Sequence, residues 1–438
     1  MNSVQTSPAS LYAWMLLGAP RLVGQIIRQS NGDVGLHYDP AWLASGFALS
    51  ADMPLGGNTF TPVHRLHRLA GAPGALDDAR PDRWGEKVIR YLYKPGASVY
   101  DNLYFAGDER FGALGVSSSA AAYVPFMERP LPRLQDAQNL SDAAKVISSG
   151  EGELDAQKRA IIGAAGSLGG AKPKAVITIA GEEWVLKFSN GEPYDLPLAE
   201  HACMTLATRA GLHMATTQMV PLLAESAVAV KRFDRQAGER RHCISASTLL
   251  RSEVPASITP EYGYPQLARA LRRSGNVTTV DAQLHELFGR MVFNILIANT
   301  DDHEKNHALL CQMNGRTMTL ELSPAYDVVT TGSGAVDHEF MISDTSHAPD
   351  LKAALSVAAD FGLTPEQAAA VVVRIATVVD GWVAHFQALG VTERDIRELR
   401  AFIDRPDLLE QRRMAMSHVQ ALMPPAGRSP RRGGAFTM

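Results

Sequence analysis

A strongly apolar segment that breaks off into the most polar stretch of the chain frames the rest of the sequence. DAQLHELFGRMVFNILIA places Leu284, Leu287, Phe288, Met291, Ile295 and Ala298 at helical spacing, which predicts a long core helix ending just before Asn299. The next segment, NTDDHEKNHALL (Asn299–Leu310), packs Asp301, Asp302, His303, Lys305, Asn306 and His307 together, more polar chemistry than a solvated loop usually needs. Asp327 then follows in LSPAYDVV, an acid set among apolar residues that is costly to bury without a cation or hydrogen-bond partners.

The remaining composition narrows the class of protein. At roughly 100 to 200 residues per domain, 438 residues suffice for several modules around such a helix. With 42 Lys+Arg against 46 Asp+Glu, the net charge of −4 gives no global reason to bind nucleic acid or an anionic membrane. A hydrophobic content of 46% and a charged content of 20% exclude a largely disordered, collagenous or coiled-coil chain. Cys203, Cys243 and Cys311 are too scattered for a metal knuckle and too few for a disulfide framework, which favours a reducing compartment. The N-terminal apolar patch has no basic residue before it, and no run reaches the roughly 18 to 20 apolar residues of a membrane helix, so a soluble, cytoplasmic protein is expected.

Along the chain, Leu11 to about Tyr123 is broken by Gly and Pro and reads as a strand-rich module with inserted helices. One helix is expected after Pro81, carrying Trp84, Val88, Ile89 and Leu92 and stopped by Pro95-Gly96. Residues 124–160 carry prolines and then a mixed helical pattern, and read as a connector. IIGAAGSLGGAKPK is a glycine-rich loop, followed by strands over Ala175–Ile179 and Trp184–Phe188 around Gly181, with Lys187 at the end of the second. LPLAEHACMTLATRAGL reads as a helix closed by Gly211, and AVAVKRFDR as a buried strand running into charge. Helices dominate from about residue 263, no internal repeat is present, and the tail from residue 424 has a disordered composition.

Two chemistries compete for the polar segment. His303-Glu304-Lys305-Asn306-His307 spells H-E-x-x-H, which on a helix would place His303 and His307 on one face for zinc with Glu304 as base. The middle positions and the preceding Thr300-Asp301-Asp302 are too polar for a half-buried zinc helix. Phosphoryl transfer asks instead for a carboxylate to orient the attacking hydroxyl, an Asn and an Asp for Mg²⁺, and a lysine plus loop amides for phosphate oxygens. Asp301 and Asn306 have the D-x-x-x-x-N spacing of a kinase catalytic loop, Asp327 follows after a short hairpin, and the glycine-rich loop and Lys187 lie upstream. The order of parts is that of a protein kinase, yet G-x-G-x-x-G, H-R-D, D-F-G and Walker A are all missing. An ordinary eukaryotic-type kinase and a P-loop ATPase are thereby excluded, and a diverged kinase fold is not.

These boxes resemble the HipA-like toxin kinases of bacterial type II toxin-antitoxin modules. The resemblance rests on GSLGGAKPKAVI (166–177) with Lys187 after it, AVAVKRFDR (227–235), the Asp301–Asn306 box and LSPAYDVV (322–329). FTPVHRLHRLAGAPGALDDARPDRWGEKVI and FAGDERFGALGV in the N-terminal region are also similar, so the likeness runs from about residue 10 to 420. It implies an α+β, diverged protein-kinase-like fold: an N-terminal subdomain over 1–148, a kinase N-lobe with phosphate loop and hinge over 149–240, a helical C-lobe over 241–423, and a tail over 424–438. The implied activity is a serine/threonine protein kinase toxin that uses ATP and Mg²⁺ on a protein substrate, such as an aminoacyl-tRNA synthetase, and is neutralised by a separate, HipB-like DNA-binding antitoxin. Carried over by position, Asp301 is the catalytic aspartate, Asn306 and Asp327 the metal pair, and Lys187 the lysine on the nucleotide phosphates. Gly169, Gly170 and Ala171 belong to the phosphate loop, Lys231 to Phe233 to the adenine hinge, and His303 and Lys305 to the nucleotide side of the catalytic loop. Ser167 matches the serine whose autophosphorylation switches such kinases off, and a doubly charged phosphoserine could not stay in a loop whose amides face ATP.

The loop departs from the family's usual spelling at Ala171-Lys172-Pro173-Lys174, and the hinge carries Lys231 where an acid is common. Glu200, on the helix after Lys187, suits either pairing with that lysine or simple exposure. His303 is expected to orient its loop by hydrogen bonding, His64 and His67 to lie on a helix face, and Cys203 and Cys311 to lie in the core. Against the kinase stand a zinc peptidase, which needs a third ligand, and a catalytically weak kinase-fold module acting by antitoxin binding alone.

Overall fold

The computed structural model describes residues 6–63, 71–94, 98–127, 129–165, 168–253, 262–331 and 336–422. The first sheet comprises β1 (Leu11–Met15), β2 (Arg21–Arg28), β3 (Val34–Tyr38), β4 (Thr59–Phe60) and β5 (Leu114–Ser117), all antiparallel in the order β4-β3-β2-β1-β5. Along β1, Leu11, Ala13 and Met15 alternate into the main core, while Trp14 on the opposite face is covered by Tyr123. Among the described residues, three helices fill the excursion between β4 and β5, one of them Arg83–Tyr93, which buries Trp84, Val88, Ile89 and Leu92 and closes on Lys94 in the left-handed region at φ 47°.

A second antiparallel sheet follows, built from β6 (Lys174–Ile179), β7 (Glu182–Phe188), β8 (Thr217–Pro221) and β9 (Ser226–Lys231) in the order β6-β7-β9-β8. Ala175, Ile177, Trp184, Leu186 and Phe188 from one of its faces share a core with the helices Arg83–Tyr93, Ala137–Ser149 and Ala156–Ala165. Residues 124–160 are therefore more than a connector. Leu140, Ala143, Ala144 and Ile147 form a buried stripe that covers sheet surface which would otherwise face water.

From the other face, Val228 and Val230 join the main core, which runs from the first sheet through the helix Leu196–Arg209 to the C-terminal helices. A hairpin of β10 (Arg235–Gln236) and β11 (Glu239–Arg240) leads to the three-stranded sheet β12 (Cys243–Ser245), β13 (Ala308–Asn314) and β14 (Thr317–Leu322). The apolar segment forms the helix Val280–Leu296 and is buried nearly all round, with Leu284, Leu287, Phe288, Met291 and Ile295 fully inside. Among the described residues no single helix is long and apolar enough to cross a membrane.

Candidate active site

The pleat of β7 decides where Lys187 points. Leu186 and Phe188 face the covering helices, so Lys187 between them faces the opposite side, toward the helix Leu196–Arg209. Its Nζ lies 2.6 Å from Glu200 Oε1 and 2.7 Å from Asp327 Oδ1. Glu200 is only 4% exposed, so the structure chooses the paired alternative over the exposed one. Burial works against the Lys187 charge, but Asp327 and Glu200 outweigh it and hold the amine above its ordinary range. Burial likewise pushes the Asp327 carboxyl up, yet Lys187, Lys174 and Lys172 together hold it well below the usual carboxylate range.

Asp327 adopts the left-handed backbone region at φ 57°, which aspartate tolerates better than most residues. The segment after it is laced to the end of the core helix. The Thr330 hydroxyl donates to the Ile297 carbonyl at 2.9 Å, the Thr331 N–H to the Ala298 carbonyl at 3.0 Å, and the Asp301 N–H to Thr331 Oγ1 at 3.3 Å. Strands β13 and β14 form the hairpin between the two acids, pairing Leu309 with Leu322. Asp301 and Asp327, distant in sequence, thus sit on adjoining backbone.

The loop itself contains one short 3₁₀ turn, Glu304–Asn306, flanked by extended residues His303 and His307. His303 Nδ1 accepts from the Lys305 N–H at 3.2 Å, the orienting role expected of it. Asn306 Nδ2 donates to the Asp301 carbonyl at 3.2 Å, so its amide oxygen is the atom that could ligate a metal, while Asp301 itself is exposed. The zinc reading fails here for a physical reason: without an α-helical turn His303 and His307 do not share a face. Nor, among the described residues, do any three His, Cys, Asp or Glu side chains group to hold a metal ion.

A residue that the sequence did not single out joins the loops. Asp82 is the N-cap of Arg83–Tyr93, yet its carboxylate makes no cap bond. It accepts instead from the Gly170 N–H and lies 3.6 Å from Lys305 Nζ. Next to it, the Trp84 N–H donates to the Gly170 carbonyl at 2.9 Å and the Trp84 indole to the Lys174 carbonyl at 2.7 Å. Gly170 has φ +104°, a backbone region that side chains rarely adopt and that favours glycine. Gly169, whose Cβ would touch the Asp82 carboxylate, and Ala171 flank it. Lys174 is buried, and that burial lowers its amine's pKa. Ser167, together with His64 and His67, lies outside the described residues.

At the other end of β9, the Lys231 N–H donates to the Thr216 carbonyl at 2.8 Å and the Arg232 N–H to the Glu183 carbonyl at 3.0 Å, while the Lys231 amine lies 3.4 Å from Glu182. The Phe233 ring lies 5.3 Å from that of Tyr326, the neighbour of Asp327, and the Tyr326 hydroxyl donates to the Lys305 carbonyl at 2.8 Å. Contacts thereby link Lys187 to Asp327, Phe233 to the neighbouring Tyr326, and Tyr326 in turn to Lys305, next to Asn306 in the chain. The Lys231 side chain points along the sheet to Glu182. Asn306 and Asp327 offer one amide and one carboxylate oxygen donor, a set that suits Mg²⁺ shared with phosphates rather than a metal caged by protein alone.

Two family models match in order: the HipA N-terminal domain over residues 16–117 and the HipA-like C-terminal domain over residues 166–382. The chain belongs to the HipA family. HipA from Shewanella oneidensis, named a serine/threonine-protein kinase toxin, is 22% identical over 341 residues, 70% of this chain and 73% of that one. The Y4dM protein of Sinorhizobium fredii is 30% identical over 164 residues, a match that spans 34% of this chain and only 38% of that relative. A chain of the solved Shewanella oneidensis HipA, HipB and operator DNA complex superposes with a TM-score of 0.66 at 19% identity, covering 94% of this chain and 99% of that one. The α+β HipA fold accounts for the order of the boxes along the chain.

Proposed function

We propose that this HipA-family chain is a serine/threonine protein kinase that transfers the γ-phosphate of ATP to a protein hydroxyl. The single observation that carries the reading is the buried relay Glu200–Lys187–Asp327, at 2.6 and 2.7 Å. A lysine fixed between a helix carboxylate and the metal-side acid is the arrangement that kinases need to hold nucleotide phosphates in place. Asp301, exposed at the cleft, would accept the hydrogen bond of the substrate hydroxyl and orient its oxygen. Asn306 and Asp327 would hold Mg²⁺, which supplies charge neutralisation on the phosphates when bound. The amides of Lys231 and Arg232 are already engaged in the sheet, so adenine recognition at the hinge falls to Phe233 and to carbonyl groups.

Family membership supports a toxin role, and the Shewanella complex supports a HipB-like, DNA-binding antitoxin as partner, so that nucleic acid is met only through it. The protein substrate belongs to the same proposal, with a translation component such as an aminoacyl-tRNA synthetase as first candidate, and so does autophosphorylation of Ser167 as the off-switch. Thermal melting tests the nucleotide site. Mg²⁺ with ATP should raise the melting temperature of the wild type and leave that of Asp327→Ala unmoved. An equal rise in both would remove Asp327 from the site.

A further inference from the structure

Beneath the loop that carries Asp301 and Asn306 lies a closed polar network that the proposed chemistry does not itself use. Asp302, the chain neighbour of Asp301, is 2% exposed, and His307, the neighbour of Asn306, is 3% exposed. The two inward side chains meet, His307 Nε2 lying 3.2 Å from Asp302 Oδ1. Asp302 Oδ2 accepts from the hydroxyl of Tyr264, which begins the helix Tyr264–Ser274. That hydroxyl accepts in turn from Asn294 Nδ2 at 2.9 Å, and Asn294 Oδ1 accepts from Asn299 Nδ2 at 3.2 Å. The His307 ring stacks on Phe340 at 5.0 Å, and the Phe340 N–H donates to the Asp302 carbonyl at 2.9 Å.

A buried carboxylate costs stability unless its lone pairs are satisfied, and a hydrophobic residue would fill the same space without that cost. What the carboxylate adds is geometric. The contact between Asp302 and His307 closes the turn from the buried side, one residue after each of the two outward groups, and Tyr264 fixes the closed turn to two long helices. Resting on the kinase reading above, we propose that Asp302, His307 and Tyr264 are positioning residues that clamp the loop from below. They set the separation between the Asp301 carboxylate and the Asn306 amide oxygen. Neither Asp302 nor His307 touches substrate or metal; they act through their neighbours.

Such a clamp affects metal-dependent steps and spares the rest of nucleotide binding. The test uses the full chain as wild type, Asp302→Ala, Asp302→Asn and Tyr264→Phe, the last removing a single oxygen from a packed ring and so keeping the fold. ADP affinity is measured by calorimetry with and without Mg²⁺, alongside kcat and KM for ATP. Metal-free ADP should bind all four proteins alike, within about twofold. The Mg²⁺ enhancement of ADP binding and kcat should fall about 10- to 100-fold in Asp302→Ala, the range typical of groups that orient a metal ligand. KM for ATP at saturating Mg²⁺ should rise along with the lost enhancement, because the metal-free affinity is unchanged. Asp302→Asn, which keeps one acceptor oxygen, and Tyr264→Phe should fall in between. Tyr264→Phe and a folded Asp302→Asn that both keep wild-type kcat and Mg²⁺ enhancement would overturn the clamp alone. A wild type whose ADP affinity ignores Mg²⁺ would overturn the kinase reading and the clamp with it.

Discussion

Lys187 is charged, almost fully buried and doubly paired, so its removal leaves two carboxylates to answer for. Glu200 would be left as an uncompensated buried acid, and Asp327 would lose its strongest neighbour. Breaking such a group typically costs about 3–5 kcal/mol. Lys187→Ala should therefore lower stability in urea unfolding by an amount in that range, and lose nucleotide binding as well. A loss below about 1 kcal/mol would mean that the pair behaves like an exposed ion pair. The lysine was legible because it alternates with Leu186 and Phe188 in an apolar strand downstream of a glycine-rich loop. Glu200 was only half legible: a glutamate on a helix looks the same in sequence whether it faces water or a lysine, and the packing of that helix on β9 decides. Asp302 and His307 were read as part of a polar cluster, but which members turn inward depends on the 3₁₀ turn between them, and residue types do not encode that turn.

Among the elements, β6, β7 and the core helix announced themselves by period, within two residues of their observed ends, whereas β8 was not read from the sequence. The stripe on Ala137–Ser149 did not, because its partner is a sheet formed later in the chain. The contact of Asp82 with the glycine-rich loop was invisible for a related reason: it joins positions 88 apart in sequence. It has a measurable consequence. The carboxylate engages the Gly170 amide and approaches Lys305, two donors that the proposed nucleotide phosphates would use, and its own negative charge repels phosphate. Asp82→Asn should accordingly tighten ATP binding several-fold in a titration, with a correspondingly lower KM. A weaker affinity in this variant would show instead that Asp82 holds the loop in its binding form.

For the whole molecule, the decisive feature is how the N-terminal part is fastened to the hinge. Arg232 bonds Asp234 at 2.9 and 2.8 Å, Glu109 at 3.0 Å and the Arg110 carbonyl at 2.6 Å, while Asp234 accepts the Gly112 N–H at 2.8 Å. Burial, against the pull of Arg232 and with a push from Glu109, raises the Glu183 carboxyl to about 7. A folded-state value above the unfolded one means that the fold binds a proton which the unfolded chain has released. The Glu183 contribution to stability is then present below the unfolded value near 4.5 and is lost as pH rises toward 7. Glu183→Gln, which cannot lose a proton, should fall in melting temperature less than the wild type between pH 5 and pH 8. Parallel pH profiles would show that Glu183 is ionised throughout.

The most direct measurement is transfer of label from the γ-phosphate of ATP to protein, in the presence of Mg²⁺, by the wild type and by Asp301→Asn. Label should appear on the wild-type chain and be absent from the variant, while both melt at the same temperature and bind nucleotide equally. Equal labelling of the two, or a folded wild type that binds Mg²⁺ and ATP yet transfers nothing, would contradict the assignment of this chain as a kinase acting through Asp301.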